Sequence, residues 1–579
     1  MPSVPLSPEI LVRARRLALE NAITHGGLPR AGPIVARLLG TDPALRHDAP
    51  AVQAAVEATI REIAALSSES RDSALAALGG AETSTPRPVP SEEGTFPDLI
   101  GAVPGKVVLR MAPFPSGSLH IGNARMLFVN EYYRRKYDGR LLLVFDDTVG
   151  SEEKRVDLEA FDLILGDLEL AGIHPDAVYY KSDRIDKFYP WARRVIERGG
   201  AYVCVCPAET LRENREAGRA CAERLQTVEQ TLEMWERMLS GGFAQGEAVL
   251  RLRTDIADPD PAFRDRVLFR INEQAHPRVG HKYRVWPLLE FSWAVDDVEL
   301  GVTHVLRGKD LVVEDRMQQF VWKLLEIQGP PFLHWGLLRV REAKISKSKS
   351  YREVKSGLYD GWADPRTWSL RSLDRRGISM DACRRFTLSF GMSLSDIEVP
   401  AETLYAENRK QIDSTVPRRA FVARPVRVDV ADYPAELRTV ELPNHPDRAE
   451  LGVRTVPAGP SFYLARTDLE TRLGLEVRLK DLLNIQLPDR LAPDASHLSA
   501  RFTSRENKRI PRLQWIGADG ATPVDILEID GTHRTGTGER ALLDAAPRDI
   551  VQFERVGFVR FEADWSTSSR PVRVVFAHG

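Results

Sequence analysis

The sequence predicts a multidomain protein of α/β plus all-β class, on three observations. Its 579 residues are too many for one ordinary hydrophobic core. From Lys106 to Cys206, apolar runs of strand length alternate with runs of helical period, the pattern of a parallel, Rossmann-type sheet with helices on both faces. From about Arg418 onward, short β-rich runs are separated by turns of Pro, Gly and Asp, which predicts one or two β-barrels. The expected parts are a helical N-terminal extension with linker (1–94), the first half of the parallel-sheet domain (95–206), an insertion (207–265), the second half (266–350), a helical connecting segment (351–414) and the barrels (415–579).

Composition bounds the function. A formal net charge of −2 with 28% charged residues is that of a soluble protein. It leaves nucleic acid open, because phosphate contacts depend on local basic faces. No apolar run approaches the roughly 20 residues that cross a bilayer, and Met1 to Pro5 lacks the features of a signal peptide. Of four cysteines, three cluster at Cys204, Cys206 and Cys221, which argues for a reducing, cytoplasmic setting rather than a disulfide framework.

The elements follow in order. Ser7-Pro8-Glu9 reads as a helix start, with a Ser cap and Pro at the first helical position. Ile10, Leu11, Ala14, Leu17 and Ala18 continue at helical spacing, and Gly26-Gly27 ends the run. Amphipathic pattern covers Ala51 to Leu78, and residues 81–94 form a Pro-rich linker. A short strand at Val107–Leu109 is broken at Pro113, Pro115 and Gly117, and helical pattern resumes from Ile121 to Tyr137. Strand Leu141–Phe145 precedes a helix expected over Ser151–Leu170, then strand Ala177–Tyr180, a helix to Glu197, and strand Ala201–Cys206. Helical pattern from Pro207 to Leu239 and a strand near Ala248–Arg253 interrupt the alternation. Strands are expected again at Val267–Ile271, Leu288–Val295 and Thr303–Leu306, with a helix from Val313 to Leu325 and helical text over 355–412.

Strand, turn and helix in that order form the first crossover of a nucleotide-binding sheet, and ligands bind at the carboxyl ends of such strands. Arg110 and Asp146 stand at two of these ends. The turn finishes in His120 and Gly122, which can sit close to phosphates at a helix N-terminus. More than 200 residues later, Lys344-Ile345-Ser346-Lys347-Ser348 supplies cations. Either stretch alone reads better as an ordinary connection or a solvated loop; their conjunction points to a split ATP site.

With these residues the chain resembles class I aminoacyl-tRNA synthetases, specifically archaeal-type glutamyl-tRNA synthetases. The stretch Ala112 to Arg125 looks like the family's first signature, and 344–348 is a near-complete second one. The phrases at 282–287, 301–309, 440–446, 477–483 and 550–560 are also family-like, so the resemblance covers nearly the whole chain. It implies an ATP-dependent glutamate–tRNA ligase using Mg²⁺, with tRNA, ATP and glutamate as partners and a monomer as the expected state. It makes 207–265 the acceptor-stem-binding insertion and the C-terminal barrels anticodon-binding. In that reading His120, Lys344 and Lys347 are catalytic. Pro113, Gly117, Gly122, Asn123 and Ser346 join them in binding ATP. Arg110, Ala112, Asp146, Leu289, Trp293 and Arg307 surround the amino acid, with Asp146 on its α-amino group. Two guanidinium groups suit a doubly anionic substrate.

Several positions depart from the family. Asn123 stands for the second signature histidine, Val144 for an arginine and Phe114 for a small or polar residue. Leu289 replaces a substrate-binding tyrosine, with Trp293 nearby. These changes also fit a paralogue charging tRNA with another amino acid or for a biosynthetic pathway; a non-catalytic tRNA-binding regulator is the further alternative. Cys204, Cys206 and Cys221 resemble a zinc knuckle, with Glu223 as an unusual fourth ligand; the alternative is three reduced thiols. The basic stretch with Arg505, Lys508, Arg509 and Arg512 offers contacts to tRNA or a plain solvated hairpin.

Overall fold

The computed structural model describes residues 7–25, 48–78, 94–149, 156–343 and 347–579, apart from 567 and 569, with scattered positions between 29 and 45. The chain divides into two compact units, Met1–Ser91 and Glu92–Gly579. In the first, α1 (Pro8–His25), α2 (Ala49–Ala64) and α3 (Ser68–Ala77) meet around Leu17, Ala18, Val52, Val56 and Ile63. The expected Pro8 start holds, and the linker lies outside the described residues.

The second unit opens on β1 (Val108–Met111). A turn and one 3₁₀ turn (Ile121–Asn123) lead into α4 (Ala124–Lys136). Then come β2 (Arg140–Phe145), α5 (Leu158–Leu170), β3 (Ala177–Tyr180) and α6 (Ile185–Glu197). β1, β2 and β3 are parallel, in that order. Helix α5 begins at Leu158, where the Asp157 carboxylate accepts from the Glu159 N–H and so caps it; the expected start at Ser151 lies outside the described residues.

β4 (Ala201–Cys204) does not continue the parallel sheet. It pairs antiparallel with β5 (Val249–Leu252), which pairs with β6 (Val267–Ile271) and that with β7 (Val285–Pro287). An apolar strand carries no mark of its neighbours, so alternation placed it on the wrong sheet. Between β4 and β5, the single helical stretch expected resolves into α7 (Ala208–Ala217) and α8 (Val228–Leu239).

Leu288–Val295, expected as a strand, is instead the start of α9 (Leu289–Glu299). The reason is burial: every residue from Glu290 to Asp297 is buried, so no amphipathic stripe marks the helical period. β8 (Val305–Gly308) then returns beside β1, where the Thr303 N–H donates to Val108 O at 2.9 Å. β9 (Phe332–Trp335) pairs parallel with β8, after α10 (Val312–Leu324). The β8–β9 pair thus lies beside β1 of the three-stranded sheet, with the carboxyl ends of β1, β2 and β8 adjacent. Short strands β10 (Leu338–Val340) and β11 (Ile397–Val399) pair in parallel. Helices α11 (Lys347–Lys355), α12 (Leu370–Arg376), α13 (Met380–Leu388) and α14 (Glu402–Ile412) fill most of the connecting segment.

The C-terminal part is two seven-stranded sheets, each with its own apolar core. One starts at Arg418–Ala423, is interrupted by the whole of the other (Pro425–Gly517), and resumes at Ala521 to end in the strand Val572–His578. The sequence predicts β-rich runs at 421–428, 439–442, 461–464, 477–480, 512–516, 524–527, 550–561 and 571–576; strands Val453–Pro457, Asn484–Gln486, His497–Ser504 and His533–Glu539 have no counterpart among them. His533–Glu539 is rich in Thr and Gly, so it lacks the apolar alternation that marks a strand.

Candidate active site

The site is built on the turn between β1 and α4. Its path is fixed by one buried carboxylate, Asp167 of α5. Asp167 Oδ2 accepts from the Leu119 N–H (2.7 Å) and Ser118 Oγ (2.8 Å), and Oδ1 accepts from Arg371 Nε (2.7 Å). Burial raises the Asp167 pKa, and these donors oppose it. Gly117 adopts φ +141°, and an added Cβ would lie 2.2 Å from the Trp362 ring, so the turn passes too close to that indole for a side chain.

His120 caps the 3₁₀ turn. Its Nδ1 accepts from the Gly122 N–H at 3.0 Å, which places the proton of a neutral ring on Nε2. Asn123 Oδ1 accepts from the His120 N–H at 3.2 Å, so this departure from the signature histidine closes a capping box. Lys344 and Ser346 lie outside the described residues; Lys347 opens α11, with its side chain also outside the description.

At the other end of the turn, Arg110 is buried and donates from Nε and Nη2 to the two oxygens of Asp297, at 2.6 and 3.0 Å. Arg307, on β8, donates to Asp315, and Nη2 also reaches Gln318 Oε1 at 3.1 Å. Burial and the neighbouring Arg110 charge both lower the Arg307 pKa. The two arginines thus come together as expected, but each already holds an internal carboxylate. Asp146, just beyond β2, is buried beside them; its N–H donates to Pro113 O at 3.2 Å, which ties β2 to the turn. Trp293 carries the Arg110 guanidinium 3.7 Å from its ring centroid. Leu289 and Ala112 pack with Leu142, Val144, Trp293 and Val302 in an apolar cluster under the pocket.

The sequence reading missed Lys181, Ser292, Asp297 and Asp315. Lys181 follows β3 at its carboxyl end, the position that should have drawn attention. Asp297 was hidden because its helix read as a strand.

Two other groups lie elsewhere on the fold. The ligand atoms of Cys204, Cys206, Cys221 and Glu223 all fall within 4.8 Å of one another. Cys204 Sγ and Cys221 Sγ are 3.8 Å apart. A tetrahedral zinc with bonds of about 2.3 Å to sulfur sets its ligands about 3.8 Å apart, so the set fits a zinc ion. Arg505, Arg509 and Arg512 are exposed on and beside a loop, while Lys508 Nζ is paired with Glu476 at 2.7 Å.

The fold and this turn define the class of protein. The chain belongs to the class I tRNA synthetases of the E and Q group: residues 106–414 match the catalytic domain of that family and 416–500 its anticodon-binding domain. It is similar over nearly its whole length to curated glutamate–tRNA ligases. That of Methanosarcina acetivorans is 37% identical, covering 99% of this chain and 100% of the relative. That of Methanopyrus kandleri is 39% identical, covering 97% and 98%.

Proposed function

We propose that this chain is a glutamate–tRNA ligase. The carrying observation is the pair of buried guanidinium groups, Arg110 and Arg307, at the carboxyl ends of β1 and β8, beside the turn that presents His120. Full-length similarity to glutamate–tRNA ligases supports it. In the first step an oxygen of the glutamate α-carboxylate attacks the α-phosphorus of ATP, the bond to the bridging oxygen breaks, and pyrophosphate leaves. In the second, the 2′-hydroxyl of the tRNA terminal adenosine attacks the acyl carbonyl, and AMP leaves with the bonding pair. No protein nucleophile is required, so orientation and charge stabilisation carry the rate.

In this reading His120 Nε2–H donates to a phosphate oxygen as charge develops there. Lys344 and Lys347 neutralise the leaving pyrophosphate, and the turn from Pro113 to Asn123 cradles the nucleotide. Arg110 and Arg307 supply N–H groups to the substrate carboxylates, and Asp146 stands at the α-ammonium subsite. Mg²⁺ travels with ATP as a substrate. Residues 95–200 and 289–350 are the two halves of a Rossmann-type domain, the antiparallel sheet and helices of 201–287 the acceptor-stem insertion, 351–414 the connecting helices and 415–579 anticodon-binding barrels, with Arg505, Lys508, Arg509 and Arg512 facing tRNA. The protein acts in the cytoplasm as a monomer. Cys204, Cys206, Cys221 and Glu223 would hold a structural zinc that ties β4 to the segment before α8.

The test is amino-acid-dependent ATP–pyrophosphate exchange and tRNA charging, with and without tRNA, across a panel of amino acids. Glutamate is expected to give both; charging with a different amino acid alone would overturn the assignment in favour of a diverged paralogue.

A further inference from the structure

The carboxylate of Asp146 already holds an ammonium group, and it is the protein's own. Lys181 is completely buried. Its Nζ lies 3.0 Å from Asp146 Oδ1, donates to Ser292 Oγ at 2.6 Å and sits 3.6 Å from the centroid of the Trp293 ring. Asp296, one turn along α9 from Ser292, adds attraction, and Arg110 opposes it. A carboxylate, a hydroxyl and an aromatic face together make a cage for a primary ammonium. Burial lowers the Lys181 pKa, and the Asp146 and Asp296 carboxylates oppose that shift.

We propose that Lys181 is a specificity-determining residue that occupies the α-ammonium subsite of the amino-acid pocket. The inference rests on the glutamate reading given above. Two ammonium groups on one buried carboxylate repel each other, and that repulsion is little screened there. A substrate bearing an α-ammonium must displace Lys181 from Asp146 or bear that repulsion, and so gains little there. A dicarboxylate with an uncharged group at the same carbon leaves the Lys181–Asp146 pair intact. The pocket therefore discriminates weakly in favour of the amine, and its affinity comes from Arg110 and Arg307.

The experiment compares glutamate with 2-hydroxyglutarate, a competitor that lacks the ammonium, in glutamate-dependent ATP–pyrophosphate exchange by the full chain in the presence of tRNA. For the unaltered protein the inhibition constant of 2-hydroxyglutarate is expected within threefold of the KM for glutamate. A preference of tenfold or more for glutamate overturns the inference, and this measurement needs no variant. In Lys181→Met, Asp146 becomes available to the substrate. The KM for glutamate is then expected to fall at least tenfold, with the 2-hydroxyglutarate constant falling less than threefold. Exchange by both proteins with an unchanged or raised KM in the variant overturns the role of Lys181 and leaves the glutamate assignment standing. Glutamate-dependent exchange gained only in the variant supports the inference. Its absence from both overturns the glutamate assignment and the inference together.

Discussion

Arg110 shows how much one side chain is asked to do. It is buried, paired in a fork with Asp297 and laid on Trp293. A guanidinium can hold that carboxylate with Nε and Nη2 and still present N–H groups on Nη1; an ammonium cannot. Arg110→Lys is therefore expected to lower kcat/KM for glutamate about 100-fold in pyrophosphate exchange, mostly through KM. Arg110→Ala leaves Asp297 buried without its partner and is expected to cost about 3–5 kcal/mol in urea unfolding. His120 acts on the other substrate. His120→Ala removes a donor aimed at developing charge, and kcat for exchange is expected to fall about 10²–10³-fold with the KM for glutamate little changed.

At the scale of elements, the turn from β1 to α4 is held by groups far away in sequence. Asp167 fixes Ser118 and Leu119, and the Leu370 N–H donates to Leu119 O at 2.9 Å. Trp362 fills the space above Gly117. Gly117→Ala must meet that ring and hold a positive φ with a Cβ, so a loss of about 1–3 kcal/mol is expected, measured by thermal unfolding, together with a raised KM for ATP. The cysteine group is a second test. One zinc per chain is expected by elemental analysis of the purified protein, and Cys204→Ser is expected to lose it, because three of four ligands seldom hold a structural ion.

At the scale of the whole molecule, the last strand ties the C-terminal sheets to the connecting helices. His578 Nε2 accepts from Asn408 Nδ2 at 3.1 Å, and Asn408 Nδ2 also donates to Gly377 O at 3.0 Å. Arg376 of α12 donates to Ala577 O at 2.7 Å, and Arg375 forks onto Glu562. Burial lowers the His578 pKa to about 4 from its ordinary 6.5. The folded state thus binds fewer protons at this site than the unfolded chain. The contribution is fully present above pH 6.5 and is lost as pH falls toward 4. At pH 5 the loss is about 2 kcal/mol, to be read as a drop in urea stability between pH 7 and pH 5 that is smaller by that amount in His578→Gln.

Much of this was legible from the sequence, for physical reasons. The turn at 111–123 announces itself because Pro and Gly break the chain between an apolar run and a helical period. Arg110 and Asp146 could be placed because ligands gather at the carboxyl ends of parallel strands. Local chemistry fixes the α1 start at Pro8, the β1–turn–α4 crossover and the β-rich tail, since each depends on residues near one another in the chain. The sequence alone could not decide what is set by residues hundreds of positions apart. Burial on all sides made α9 a helix despite its strand-like apolar run. Pairing with β5 took β4 out of the parallel sheet. Packing of β3 and α9 against β2 brought Lys181 onto Asp146. Charge in a pocket depends on which side chains share it, and only the tertiary fold decides that.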